Sequence, residues 1–100
     1  MITPREAGVV LCELRIKKPS EFSSHDFIEE YCAQYETEYL NWLNEYRGTG
    51  RAFQTVHSLI GRFLSENEDS STLPAYRRTH RADSENVHGT IDQPMWWEWV

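Results

Sequence analysis

Side chains capable of nucleophilic or metal chemistry are few in this chain and lie far apart in the sequence. Cys12 and Cys32 are the two cysteines, and the four histidines stand at positions 25, 57, 80 and 88. Zinc sites are built from closely spaced ligands, and no pair here has the spacing C-x-x-C or H-x-x-x-H. We therefore expect no metal site, and nothing in the sequence indicates a cofactor.

An enzyme is not expected either. Both cysteines fall on apolar faces of their predicted elements, and buried thiols are usually inert core groups. The acids Glu29 and Glu30, like Glu36 and Glu38, are predicted to lie on a solvated helix face, where burial does not tune them for proton transfer. The sequence also contains no phosphate-binding loop and no Gly-x-Ser-x-Gly elbow.

The charged residues, by contrast, are divided unevenly along the chain. The formal net charge is −6, which by itself argues against a nucleic-acid partner. Residues 20–45 contain seven acids and no lysine or arginine, whereas residues 46–82 contain six arginines and three acids. The sequence thus predicts an acidic face and a basic face, although two ordinary solvated faces would give the same pattern.

The elements that position these residues are those of one small α+β domain over residues 1–100. The chain is 39% apolar and 13% aromatic, which suffices for one core. It has neither a signal core nor an apolar run of roughly 20 residues, so we expect a cytoplasmic protein with reduced cysteines. The predicted architecture is two or three helices packed on a small antiparallel sheet with a C-terminal β-hairpin.

The first half of the chain predicts a strand followed by a helix. Apolar residues alternate in GVVLCELRIK (residues 8–17), which is typical of a strand, and Pro19 ends it. Over residues 23–46, apolar residues recur at helical spacing behind a capping box of Ser23 and Asp26. A kink near Gln34 would divide this segment into two shorter helices.

A second amphipathic helix is predicted over residues 51–65, after the glycines of GTG (residues 48–50). Its inward positions are Phe53, Val56, Ile60, Phe63 and Leu64, and its outward positions are Arg51, Gln54, Thr55, Ser58 and Arg62. Glycine inside a helix costs about 1 kcal/mol relative to alanine, so Gly61 indicates the close approach of another element.

Two strands are predicted to follow, AYRRTHR (residues 75–81) and MWWEWV (residues 95–100). Because side chains alternate along a strand, Trp97 and Trp99 share the face that covers the helices, and Trp96 points the other way. Trp96 either packs on a flanking element or anchors a partner, a role in which tryptophan is common.

Residues 24–100 resemble a winged helix-turn-helix domain. The resemblance rests on YETEYLNWLNEYRGTGRAFQTVHSLIGRFLSE, followed by AYRRTHR and HGTIDQPMWWEWV. A helix, a glycine turn, a second helix with a polar outer face and a β-hairpin come here in the winged-helix order. The departure is at the N-terminus, because the family has a helix ahead of its first strand and this chain is predicted to open on the strand.

The resemblance implies a protein that binds double-stranded DNA, in transcription regulation or another DNA transaction, with a recognition helix at 51–65 and a wing at about 82–93. Helix side chains would reach base edges in the major groove, and hairpin arginines would neutralise phosphates. The implied DNA-binding residues are Arg51, Gln54, Thr55, Ser58, Arg62, Arg77, Arg78 and Arg81. DNA-binding domains of this size often form homodimers, although the sequence shows no heptad seam.

The rival interpretation is an acidic protein-interaction module. Small acidic phage-type inhibitors occupy the nucleic-acid sites of host nucleases by imitating phosphates, and this chain looks similar to them, by analogy, in size, charge and aromatic content. The residues that would then contact a basic partner are Glu29, Glu30, Glu36, Glu38 and Trp96. A membrane role is disfavoured, because the polar face of the first amphipathic helix is acidic.

Overall fold

Helices form most of the first two thirds of the chain, and short strands follow. The computed structural model describes residues 2–68, 74–79, 84–85, 91–92 and 95–100. The helices are α1 (Pro4–Lys17), α2 (Ser24–Gln34), α3 (Glu36–Glu45) and α4 (Ala52–Glu66), with a 3-10 turn at Arg47–Thr49. The strands are β1 (Glu21–Ser23), β2 (Tyr76–Arg78), β3 (Ser84–Glu85), β4 (Ile91–Asp92) and β5 (Trp96–Trp99). The predicted α+β class is confirmed.

The strand predicted over residues 8–17 is wrong, because this segment belongs to helix α1. Thr3 and Glu6 form a capping box: the Glu6 carboxylate accepts from Thr3 N at 3.0 Å, and Thr3 Oγ1 accepts from Glu6 N at 3.2 Å. Pro4 opens the helix, where its missing N–H costs nothing. The buried residues Ala7, Val10, Leu11 and Leu14 follow helical spacing. A short apolar run is compatible with the two-residue period of a strand and with the 3.6-residue period of a helix. The capping box favours the helix here.

Residues 24–45 form two helices rather than one. The predicted capping box is confirmed at the start of α2, where Asp26 Oδ2 accepts from Ser23 N at 2.9 Å and Ser23 Oγ accepts from Asp26 N at 3.1 Å. The break falls at Tyr35, whose backbone leaves the helical region at φ −126° and ψ 50°. It lies next to Gln34, where the kink was expected.

The predicted helix over residues 51–65 is confirmed as α4. Val56, Ile60 and Leu64 are fully buried, and a Cβ added at Gly61 would lie 3.2 Å from Met95 Cε, so the expected close approach occurs. The predicted burial of Phe53 is wrong, because its side chain is 46% exposed. Helical periodicity gives the face of a residue but not the point along the helix where the core ends.

The C-terminal strand is the centre of a three-stranded antiparallel sheet. The strand order is β1-β5-β2, with Phe22 opposite Trp97 and Tyr76 opposite Trp99. Trp97 is fully buried and meets Tyr76 edge to face at 5.4 Å, whereas Trp99 is half-buried. The Tyr76 hydroxyl donates to Leu64 O at 2.8 Å and so ties the sheet to α4. The three tryptophans near the C-terminus therefore belong to the central strand of the sheet.

Candidate nucleic-acid interface

A polar stripe runs along α4 on the side opposite the core. Its residues, called the α4 stripe below, are Arg51, Gln54, Thr55, Ser58 and Arg62, spaced so that about 3.6 residues per turn bring them onto one face. All are exposed except Thr55, which is half-buried. The structure thus brings together all five helix residues that the winged-helix resemblance implies.

The start of α4 is built to be electropositive. Gly50 takes the left-handed conformation at φ 73°, and Thr49 Oγ1 accepts from Arg51 N at 3.0 Å, which fixes the turn ahead of the helix. Arg51 occupies the N-cap position, where a guanidinium has no acceptor to offer, so the helix lacks a side-chain cap. The positive end of the helix dipole therefore lies beside an arginine, an arrangement suited to an anion.

Three arginines around this helix keep their charge uncompensated. Among the residues that the structure describes, no carboxylate lies within 4.0 Å of Arg47, Arg51 or Arg62. Arg47 was missed as a site residue by the sequence analysis. It lies in the 3-10 turn directly before α4, and only the placement of that turn against the helix start could reveal its position.

Arg78 extends the α4 stripe onto the sheet. Its Nη2 donates to Ser65 Oγ at 3.0 Å, and Ser65 follows Arg62 by three residues on the same side of α4. The guanidinium also lies 5.5 Å from the centre of the Trp97 ring, a cation–π distance. Glu68 accepts a bond from Arg78 N at 2.7 Å and reduces the positive potential at this end.

Arg77, the neighbouring arginine, lies on the other face of the sheet. Its Nε donates to Glu98 Oε1 at 2.6 Å, and the two residues are directly opposite in the strand register. The structure therefore separates Arg77 from the α4 stripe. Arg81 lies outside the described residues, as does most of the predicted wing at 82–93. The described parts of that segment, β3 and β4, pair as a two-stranded antiparallel ribbon.

The acidic residues are not all on a solvated face as predicted. Glu29, Glu36 and Glu38 are exposed, but Glu30 is 7% exposed and accepts from Lys17 Nζ at 2.8 Å and from Gln34 at 2.9 Å. The bond from Lys17 lowers the pKa of Glu30. Glu30 is buried because α1 packs against this side of α2. Trp96, the fifth residue predicted to contact a basic partner protein, is half-buried.

One thiol and one histidine, Cys32 and His57, both contact Tyr39 in the described part of the chain. Cys12 is exposed, contrary to prediction, because it belongs to a helix and not to a strand. Burial raises the pKa of the Cys32 thiol to about 11, which keeps it protonated at neutral pH. The Tyr39 hydroxyl lies 2.6 Å from His57 Nε2. Within the described ranges, no three His, Cys, Asp or Glu side chains cluster as a metal site would require.

Comparison with protein-family models, with curated proteins and with solved structures gives no match to this chain. In the described part of the chain, every helix is too short or too polar to cross a membrane. The architecture itself is that of a small helix-rich domain with a three-stranded antiparallel sheet, a shape compatible with a winged helix.

Proposed function

We propose that this protein is a winged-helix domain that binds double-stranded DNA through α4 and acts in transcription regulation or another DNA transaction. The observation that carries the proposal is the α4 stripe, an exposed polar helix face whose arginines have no carboxylate partner among the described residues. An arginine that has no carboxylate partner is available to phosphates and base edges.

The order of the elements supports the winged-helix assignment. Helix α1 stands ahead of β1, so the N-terminal departure from the family pattern disappears. The antiparallel strands β2 and β5 follow α4, and the ribbon of β3 and β4 lies between them in the chain, where the resemblance implies a wing. Fold order does not establish function, and the DNA-binding proposal therefore depends on the stripe.

The α4 stripe has the dimensions and chemistry of a recognition surface. Its helix of 15 residues is about 22 Å long, and a helix fits the major groove of B-form DNA. Arg51 and Gln54, near the helix start, would read guanine and adenine edges. Arg47 and the uncapped helix start would hold one phosphate, and Arg78, at the far end, a second.

Fluorescence anisotropy of a labelled mixed-sequence duplex tests the proposal. We expect binding at low salt that weakens as salt rises, because each arginine that neutralises a phosphate releases a counterion from the DNA and added salt opposes that release. Arg62→Ala should weaken binding by about tenfold, or about 1.4 kcal/mol, which lies within the range of about 1–3 kcal/mol for the loss of one arginine that contacts a base. The matched control is Arg77→Ala, which removes an exposed arginine from the other face of the sheet and should bind as the parent does.

Two results would contradict the proposal. One is the absence of binding at low salt, and the other is an equal loss of affinity in Arg62→Ala and Arg77→Ala. Either result would direct attention to the acidic surface of α3, where Glu36 and Leu40 are exposed one helical turn apart. That surface would then be tested by pull-down against basic nucleic-acid-binding proteins.

A further inference from the structure

Helix α1 has a second apolar face, which stays exposed beside the described residues. Ala7, Val10 and Leu14 pack inward, while Val9 is 44% exposed, Ile16 is 75% exposed and Cys12 is exposed. Val9, Cys12 and Ile16 line a shallow groove of about 560 Å³, together with Pro4, Arg5, Gly8 and Glu13. Exposed apolar surface that is contiguous, rather than scattered, marks an interaction site.

The spacing of this face is that of a helix-pairing seam. Arg5, Val9, Cys12 and Ile16, called the α1 seam below, are separated by four, three and four residues. This repeat of 3.5 residues keeps side chains of two helices interlocked along their length. Gly8, beside the seam, has no side chain to hold a second helix away. The seam was invisible in the sequence, because the segment was interpreted as a strand.

The charges along the α1 seam favour a second copy of this chain, in antiparallel orientation, as the binding partner. Arg5 borders the groove near the start of α1 and Glu13 borders it toward the end, and neither has an ion-pair partner among the described residues. In a parallel pair of α1 helices, Arg5 would face Arg5 and Glu13 would face Glu13. In an antiparallel pair that sets Val9 opposite Cys12, each Arg5 lies beside Ile16 of the other copy and within one helical turn of its Glu13, and two-fold symmetry forms this contact twice.

The last turn of α1 does not oppose this arrangement. An antiparallel partner brings Arg5 near residues 16–18, where two lysines could repel it. Lys17, however, is paired with Glu30 at 2.8 Å, and Lys18 lies 3.9 Å from Asp26. Arg5 therefore meets lysines whose charges are compensated within their own chain.

We propose that α1 is a self-association surface through which two copies of this protein pair by antiparallel contact of their α1 seams. The groove is self-complementary in charge, and such pairing buries its apolar centre of Val9, Cys12 and Ile16. This self-association does not require DNA binding. If the α4 stripe does bind DNA, the two-fold axis presents two stripes, and the preferred site is a palindrome with two half-sites.

Sedimentation equilibrium of the full chain under reducing conditions tests the pairing. We expect the apparent mass to rise with concentration from 11.8 kDa toward twice that value. Ile16→Gln should hold the mass at 11.8 kDa over the same range. The matched control, Leu40→Gln, removes an exposed leucine from α3 and should associate as the parent does. Circular dichroism confirms that both variants retain the helices.

Charge reversal tests the orientation. Arg5→Glu and Glu13→Arg should each weaken self-association by about tenfold, because each replaces two attractive contacts by two repulsive ones. An equimolar mixture of the two variants should recover the association of the parent, since each copy then supplies the charge that the other lacks. A parent chain of constant monomer mass, equal association of Ile16→Gln and Leu40→Gln, or a mixture no tighter than its components would each overturn the proposal.

Discussion

Two adjacent arginines on β2 show how strongly the position of a single residue decides its role. Arg78 lies over the Trp97 ring and bonds to Ser65 of α4, whereas Arg77 pairs with Glu98 on the opposite face of the sheet. Side chains alternate along a strand, so consecutive residues cannot serve one surface. A basic cluster in a sequence therefore overstates the basic surface that a strand can present.

The pair of Lys17 and Glu30 gives a residue-level prediction about pH. The bond from Lys17 lowers the pKa of Glu30 in the folded state below its ordinary value of 4.5. The stabilisation is therefore fully present above that value and is lost as the pH falls through the lowered pKa. We predict that Glu30→Gln lowers the melting temperature at pH 7 and that its difference from the parent shrinks toward about pH 3.

Thermal melts of both chains across this pH range measure the effect, with Glu29→Gln as the control. Glu29 is exposed on the same helix, so its replacement should leave the melting temperature nearly unchanged. A Glu30→Gln deficit that is as large at pH 3 as at pH 7 would show that the carboxylate charge is not what stabilises the contact.

At the scale of elements, helix ends carried more information than apolar patterns. The capping box at Ser23 predicted the start of α2 correctly. The alternation of residues 8–17 predicted a strand, whereas the capping box of Thr3 and Glu6 begins helix α1 there. Alternation over a short apolar run is satisfied equally by a helix that is apolar on two sides. Helix α1 is such a helix, because one side contacts the core and the other carries the α1 seam.

Gly61 gives a prediction about the contact between α4 and the final strand. Alanine in a helix is favoured over glycine by about 1 kcal/mol, and the added methyl group would lie 3.2 Å from Met95 Cε. That atom ends a flexible side chain, which can shift by a few tenths of an ångström. We predict that Gly61→Ala stabilises the protein by about 0.5 kcal/mol and that Gly61→Val destabilises it by more than about 1 kcal/mol.

Urea unfolding of the three chains decides the point. A destabilised Gly61→Ala would mean that Met95 is held rigidly against α4, and the helix preference of alanine would then be the smaller effect. Similar denaturant dependence of the three unfolding curves is the check that the unfolded states are comparable.

At the scale of the whole molecule, local signals predicted the elements near the α4 stripe, and tertiary packing decided the rest. The helix over residues 51–65 and its exposed polar face followed from periodicity. The burial of Glu30 and the exposure of Phe53 did not, because they depend on where α1 packs and where the core ends along α4. The position of Arg47 beside the helix start likewise depends on a turn that periodicity does not describe.

Because the whole molecule carries a net charge of −6, DNA binding requires a local basic surface, and the central claim is that α4 provides it. The most direct measurement is a set of backbone amide NMR spectra of the ¹⁵N-labelled protein, recorded at low salt with increasing amounts of a short duplex. We predict shifts that are concentrated at Arg47, along the α4 stripe and at Arg78, with little change at Glu29, Glu36 and Glu38. Absence of shifts on α4, or shifts confined to the acidic helices α2 and α3, would contradict the proposed interface.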